Sequence, residues 1–147
     1  MMRRTMPAGV DLIKEYEVYS EEARQDWDGQ WKISWGISGP HVHKGTKWTA
    51  KQCEEAFEQR LRQVEEDVLV MLMGTKVSDP VFAALVSFVW STGTEVARRS
   101  TLMRKLRAGD RMGAWSELPR FAHHAGTLIS KLVRRRAAEQ DLWMRRV

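Results

Sequence analysis

Residues 17–36 read EVYSEEARQDWDGQWKISWG, and this stretch decides the fold. A helical pattern ends near Glu17, and Asp28-Gly29 is a strong signal for the turn of a β-hairpin. Glu17 and Asp26 therefore flank a helix–hairpin junction, nine positions apart. Hydrolysis of a glycosidic bond needs two carboxyl groups in different environments, because one must hold a proton while the other stays ionised. We take Glu17 and Asp26 as a candidate pair for that chemistry.

The length of the hairpin loop determines which side chains share a face. A three-residue loop over 27–29, with Gly29 in the left-handed region, places four residues on the face toward the cleft: Asp26, Lys32, Ser34 and Gly36. The same loop places three residues on the inward-packing face: Trp31, Ile33 and Trp35. A two-residue loop would instead put Asp26 and Lys32 on opposite faces.

The composition fits one globular domain with its own core. The chain has 147 residues, of which 43% are hydrophobic and 29% are charged, as is typical of soluble globular proteins. Its single cysteine, Cys53, excludes an intramolecular disulfide and a multi-cysteine zinc site. The longest apolar run, over 81–90, is interrupted by Ser87 and is too short to span a membrane.

The net charge of +5 and the pI of about 9.7 suit an anionic partner such as nucleic acid, anionic lipid or the bacterial wall. Six Lys and Arg residues, against Glu139 and Asp141, concentrate over 128–147. We interpret this segment as a solvated helix face. Nucleic-acid binding by the segment is a further hypothesis, although the usual recognition motifs are absent.

Helical patterns fill most of the remaining chain. The first helix is predicted over 6–17, and Thr49 and Gln52 form a capping box that opens a long helix ending near Gly74. The apolar stripe of the long helix comprises six residues: Cys53, Phe57, Leu61, Val64, Val68 and Leu72. Because Cys53 lies on this stripe, we predict a buried structural thiol. Further helices are predicted from Asp79-Pro80 to Gly93, over 100–108, over 110–118 and over 128–146.

The predicted architecture is a single domain, residues 1–147, which is mostly α. A small hairpin lobe, about 18–48, ends in a loop over 38–48. The long helix joins it to a helical lobe, about 74–147. The last helix is predicted to pack three apolar residues against that lobe: Leu128, Leu132 and Trp143.

Several segments carry a family resemblance, in the same order along the chain. Residues 12–17 read LIKEYE, and they are followed by Asp26, Asp28-Gly29, Ile33, Trp35 and Gly36. Residues 82–88 read FAALVSF, residues 100–110 read STLMRKLRAGD, and residues 132–139 read LVRRRAAE. Together these segments resemble the phage-type lysozymes, or endolysins, of glycoside hydrolase family 24, over about residues 10–143.

The resemblance implies a lysozyme-like α+β fold and cleavage of the N-acetylmuramic acid to N-acetylglucosamine linkage of peptidoglycan, without metal or cofactor. It implies that Glu17 is the general acid that protonates the leaving oxygen. Asp26 would be the second carboxylate, which orients or activates water or stabilises the transition state. It also implies that Arg135 or Arg136 pairs with a carboxylate near the cleft, and the sequence does not choose between them.

The chain departs from the family pattern at the third catalytic position, where Lys32 replaces a threonine. An ammonium group close to Glu17 would favour the ionised carboxylate and remove the proton that the acid needs. The sequence therefore predicts that Lys32→Thr raises lytic activity. Four other departures lie around the cleft: Val18, Ser34, Ile37 and Ser91. They keep open an alternative, a catalytically degenerate lysozyme-like protein that binds peptidoglycan or serves as a phage virion structural component.

Other candidate residues have simpler roles. Trp27 at the hairpin turn is a candidate for stacking on a sugar ring, and Ser34 is a second candidate substrate contact. Asp28 is expected to serve the turn, and would replace Asp26 in the site if the hairpin register shifted. Two histidine pairs lack the spacing and the third ligand of a metal site: His41/His43 and His123/His124.

Residues 1–6, MMRRTM, have a basic start but no apolar segment behind it, so no secretory signal is predicted. We expect synthesis in the host cytoplasm and access to the wall through a membrane lesion made by another phage protein, or carriage in a phage particle. The expected partner is peptidoglycan, engaged by a monomer, with no nucleic acid and no stable membrane insertion.

Overall fold

The computed structural model describes residues 3–146. Met1 and Met2, part of the segment tested for a secretory signal, and Val147, at the end of the basic segment, lie outside the described residues. The helices are α1 (Pro7–Tyr16), α2 (Ala50–Leu72), α3 (Asp79–Thr92), α4 (Thr94–Arg98), α5 (Thr101–Arg107), α6 (Arg111–Glu117) and α7 (Ser130–Trp143). The strands are β1 (Tyr19–Gln25), β2 (Trp31–Trp35), β3 (His123–His124) and β4 (Thr127–Leu128), which form two antiparallel pairs. The mostly helical fold with a small β-hairpin confirms the predicted fold class.

Helix α2 begins and ends as its sequence predicts. The Thr49 hydroxyl accepts a hydrogen bond from the Gln52 N–H at 3.1 Å, and the Gln52 side chain accepts one from the Thr49 N–H at 2.8 Å, which completes the capping box. Met73 ends the helix in the left-handed conformation. All six residues of the predicted stripe are buried, including the Cys53 thiol.

Helix α3 forms the centre of the helical lobe. Ser78 caps its N-terminus by accepting a hydrogen bond from the Val81 N–H at 3.3 Å, and every residue over 80–90 is buried. Helices α1, α2 and α7 pack around it. Burial of one large apolar side chain contributes about 1.5–3 kcal/mol. This continuous buried helix therefore makes the helical lobe the main source of stability.

The hairpin has the three-residue loop. The Asp26 N–H donates to the Gln30 carbonyl at 3.0 Å, the Gly29 N–H donates to the Asp26 carbonyl at 2.9 Å, and Gly29 has φ +81°. Strand pairing sets Arg24 opposite Lys32, so these residues and Asp26 share a face. The alternative with Asp26 and Lys32 on opposite faces is thereby excluded.

The predicted alternation fails at Ser34, which has φ +59°. Because this residue departs from extended geometry, Ile33 and Trp35 no longer pack against the same elements. Ile33 lies in a small core with Ala23 and Val42, whereas Trp35 packs on the main core. The Ser34 side chain is fully buried, and its hydroxyl donates to the Cys53 carbonyl at 2.8 Å. Ser34 is therefore a core residue, and its predicted place on the cleft face is wrong.

The C-terminal part contains three elements that the sequence prediction missed: α4, the β3–β4 hairpin and a 3₁₀ helix over Leu118–Arg120. Because β4 ends at Leu128, α7 begins two residues later than predicted, and Leu128 is exposed. Trp143 is buried, as predicted. The interpretation of the basic segment as a solvated face is wrong for Arg135 and Arg136, which are only 2% and 1% exposed. Among residues 3–146, no helix is long and apolar enough to cross a membrane.

Candidate active site

Glu17 follows the last turn of α1, where its N–H donates to the Ile13 carbonyl at 2.9 Å. Its backbone is extended, and its side chain is 14% exposed. Gly36 lies against the carboxylate and has φ +73°. A Cβ atom at position 36 would lie 2.0 Å from Glu17 Oε1. Glycine is therefore required here both by the backbone conformation and by the close approach of Glu17.

Arg135 of α7 holds the other oxygen of this carboxylate. Its Nη1 donates to Glu17 Oε2 across 118 positions of sequence. The Arg135 side chain is 3% exposed, so the pair is largely shielded from solvent. Arg135, rather than Arg136, is thus the arginine that faces the cleft carboxylate, which settles the choice that the sequence left open.

A buried network lies behind Arg135. Arg135 Nε donates to the Ser87 hydroxyl at 3.2 Å, and Arg135 Nη2 donates to the Ser87 carbonyl at 3.2 Å. The Ser87 hydroxyl donates to Glu139 Oε2 at 2.6 Å. Arg136 Nη2 also donates to Glu139 Oε2, at 3.0 Å. One serine of α3 and one glutamate of α7 therefore join both buried arginines.

Burial is the largest influence on the pKa values of two groups in this network, Glu139 and Arg136. Burial raises the pKa of Glu139, although the charges of Arg136 and Arg135 and the Ser87 hydrogen bond oppose the shift. Burial likewise lowers the pKa of Arg136, against the attraction of Glu139. The two ions are paired, yet both are costly to keep charged in the core.

Asp26 lies in a different environment, beside cations of its own hairpin. Lys32 Nζ is 3.3 Å from Asp26 Oδ2 and 2.9 Å from Asp28 Oδ2. Arg24 Nη1 is 3.8 Å from Asp26 Oδ1. Burial favours the neutral amine of Lys32, but the hydrogen bond and charge of Asp28 and the charge of Asp26 outweigh it and raise its pKa. For Asp28, burial is outweighed by Lys32 and by the Gln30 N–H at 3.0 Å, and its pKa is lowered.

These contacts show which carboxylates Lys32 pairs with. Among residues 3–146, the cation within ion-pair distance of Glu17 is Arg135, and the ammonium of Lys32 pairs with Asp28 and Asp26 instead. Asp28 thus has two roles, because its other oxygen accepts the Gln30 N–H of the turn. Lys32 therefore forms ion pairs with Asp26 and Asp28, and its ammonium makes no ion pair with Glu17.

Glu17 and Asp26 open into one pocket between the hairpin and the helical lobe. Twelve residues line it: Tyr16, Glu17, Asp26, Trp27, Asp28, Lys32, Gly36, Trp90, Ser91, Lys131, Leu132 and Arg135. Its volume is about 110 Å³. An adjoining cavity of about 380 Å³ shares Trp27, Asp28, Ser91 and Leu132 with it.

Trp27 lies at the boundary between these two cavities and lines both. This residue is 47% exposed, and its ring meets the His124 ring edge-on, with 4.7 Å between the ring centroids. The β1–β2 hairpin thus touches the β3–β4 hairpin across the mouth of the cleft. Of the predicted site residues, Glu17, Asp26, Lys32 and Trp27 come together, and Ser34 does not.

The phage lysozyme family matches residues 14–139, a range that contains Glu17, the hairpin and most of α7. The chain belongs to this family. An endolysin of Bacillus phage PZA is 32% identical over 92% of this chain, which spans 53% of that relative's length. A SAR-endolysin of Bacteriophage PS119 is 29% identical over 95% of this chain and 82% of its own. The muramidase domain of SpmX from Asticaccaulis excentricus is 28% identical, and its structure covers 98% of this chain and 100% of its own with a TM-score of 0.85.

Within this phage lysozyme fold, sequence reasoning missed Ser87 and Glu139 as parts of the site. A weak signal was present, because Ser87 is the polar residue that interrupts the apolar run of α3. Glu139 lies four positions after Arg135 on α7, and this spacing places both on one helix face. The sequence alone could not bring that face against Ser87.

Proposed function

We propose that this chain is a muramidase of the endolysin type, which hydrolyses the N-acetylmuramic acid to N-acetylglucosamine linkage of peptidoglycan. The observation that carries the proposal is the shared pocket: Glu17 from the end of α1 and Asp26 from the hairpin both line it. The names of its relatives support the same substrate class.

Glu17 is the general acid. Because its Oε2 accepts a hydrogen bond from Arg135, the proton to be donated resides on Oε1. Oε1 lies beside Gly36, which lines the pocket. A glycosidic oxygen bound there would receive the proton as the sugar–oxygen bond breaks.

Asp26 is the second carboxylate. Lys32 and Arg24 flank it, so it acts in its ionised form, stabilising the positive charge that develops on the sugar ring or orienting the attacking water. Trp27, at the boundary between the two cavities, is the proposed stacking surface for a sugar. The pocket and the adjoining cavity share Trp27, so a glycan strand bound along both would contact this ring.

A second candidate function is peptidoglycan binding without cleavage, as a lysozyme-like binder or virion component. The specific observation in its favour is Lys32, whose ammonium lies on Asp26 at the position where the family has threonine. In this case the same cleft would hold a glycan strand without cleaving it, because Asp26 would remain in its ion pair with Lys32.

The two functions separate in one experiment on chloroform-treated Gram-negative cells. The muramidase proposal predicts that the wild-type protein clears the suspension and that Glu17→Gln lowers the rate at least 100-fold, the low end of what general acid–base catalysis contributes. Glu15→Gln is the matched control, because Glu15 is an exposed carboxylate on α1, two positions away, and should keep full activity. Wild-type protein that pellets with peptidoglycan but releases no reducing ends would favour the binder.

A further inference from the structure

Arg135 is held in place by two groups of Ser87, a residue that does not line the pocket. Two of its three nitrogens, Nε and Nη2, donate to the hydroxyl and the carbonyl of Ser87. The third, Nη1, donates to Glu17. A guanidinium group is planar and rigid, so two contacts to one residue determine where the third nitrogen points. Ser87 is fully buried in α3 and cannot move aside without displacing the core.

The direction of each hydrogen bond in this network is determined. Arg135 Nε can only donate, so the Ser87 hydroxyl must accept from it. A hydroxyl has one proton, and that proton is therefore free for Glu139 Oε2, 2.6 Å away. Glu139 keeps the lone pairs of Ser87 turned toward Arg135, and it lies 3.5 Å from Arg135 Nε itself.

The charges of the network also balance. Glu17 and Glu139 carry two negative charges when ionised, and Arg135 and Arg136 carry two positive charges. Glu139 is fully buried, and it lies within ion-pair distance of both arginines. Without it, two arginine charges would act on Glu17 alone.

We propose that Ser87 and Glu139 are positioning residues, which hold the Arg135 guanidinium on Glu17 Oε2 and balance its charge so that Glu17 can carry its proton on Oε1. This proposal rests on the proposed role of Glu17 as the general acid. Neither residue lines the pocket. Other charged groups face the same pocket, and they remain unchanged in the tests below: Asp26, Asp28, Lys32 and Lys131.

The first test removes the Ser87 hydroxyl. In Ser87→Ala, kcat should fall about 10-fold with KM unchanged, because the acid loses its orientation but the sugar-binding surface does not change. The hydrogen on Arg135 Nε, seen by ¹⁵N NMR, should exchange with solvent at least ten times faster. Ser100→Ala is the matched control, since Ser100 is another buried serine and caps α5 by accepting from the Met103 N–H. It should lose stability without changing kcat or the Arg135 signal.

The second test removes the charge of Glu139. Glu139→Gln leaves both arginines acting on Glu17 and so favours its ionised form, which should move the alkaline limb of the pH–rate profile about one pH unit toward acid. Glu65→Gln is the control, because Glu65 is an equally buried carboxylate on α2 that pairs with Arg62. It should lose stability and keep the wild-type profile.

Unchanged kcat, Arg135 exchange and pH profile in folded Ser87→Ala would overturn the proposal even if Glu139→Gln does not fold. Arg135 exchange is measured without substrate, so it decides the positioning claim also in a protein that cleaves nothing. Glu17→Gln with full activity would overturn the proposed acid, and that outcome is distinct from a failure of the positioning network.

Discussion

The two carboxylates of the cleft are held in opposite ways. Glu17 depends on Arg135, which is 118 positions away in sequence and nearly buried in the helical lobe. Asp26 depends on Arg24 and Lys32, which lie two and six positions away in the same hairpin. One side of the site therefore belongs to the packed core, and the other belongs to a local and more exposed structure.

This difference assigns separate physical tasks to the two lobes. The helical lobe holds the proposed acid in a rigid site that is shielded from water. An unpaired charge in such a site costs several kcal/mol of stability. The hairpin supplies charge neutralisation through the ion pairs of Lys32 with Asp26 and Asp28, whose side chains keep 15–20% of their exposure. We therefore expect changes around Glu17 to affect catalysis strongly, and changes around Lys32 to have smaller effects.

Among changes to the surroundings of the two carboxylates, the largest effect is expected from Gly36→Ala. The added methyl group would lie 2.0 Å from Glu17 Oε1, so it must displace the carboxylate, and lytic activity should fall at least 10-fold. Gly29→Ala is the matched control, because Gly29 has φ +81° and nothing within 4 Å of the added methyl group. Both variants should lose about 1–2 kcal/mol of unfolding free energy from backbone strain. Equal activity in the two variants would show that Gly36 serves the backbone alone.

A smaller effect is expected from Lys32→Thr. The sequence predicted a gain of activity on the assumption that Lys32 acts on Glu17, but its ammonium lies on Asp28 and Asp26. Removing it leaves two neighbouring carboxylates without their shared cation. We therefore expect lytic activity to fall about 2- to 10-fold, as measured by the release of reducing ends. A rise in activity would mean that Lys32 inhibits the site, as the sequence first indicated.

The smallest effect is expected from Asp28→Asn, and it depends on pH. The pKa of Asp28 is lowered in the folded protein, so its contribution to stability is present above the unfolded-state value of about 4 and is lost as the pH falls. Thermal denaturation should show the variant less stable than wild type by about 0.5–1 kcal/mol at pH 7. The two proteins should become equally stable near pH 2, and a constant difference across this range would exclude the ion pair as its cause.

Local sequence patterns were sufficient for the elements that form by short-range rules. The capping box at Thr49 and the hairpin turn at Asp28-Gly29 both form as predicted, and the loop has the longer of the two lengths that the sequence left open. The β3–β4 hairpin was missed because its strands have only two residues each, too few for alternation to be recognised. The fold class and the family followed from several such matches in order.

The site was predictable only where its partners are close in sequence. The sequence reduced the placement of Asp26 and Lys32 to two alternatives, one for each loop length, and the observed three-residue loop puts both on one face. The partner of Glu17 could not be selected between two adjacent arginines, because that choice depends on how α7 rotates against α3. Ser34 was misplaced for a related reason: its positive φ is stabilised by a hydrogen bond to α2, which no pattern within the hairpin reveals.

The most direct test of the central claim is to identify the bond that is cleaved. Purified peptidoglycan is digested with wild-type protein and with Glu17→Gln, the new reducing ends are reduced with borohydride, and the released sugars are identified by mass spectrometry. We predict new ends at N-acetylmuramic acid with wild type and none with the variant. New ends at N-acetylglucosamine, or wild-type protein bound to the peptidoglycan with no new ends, would contradict the account.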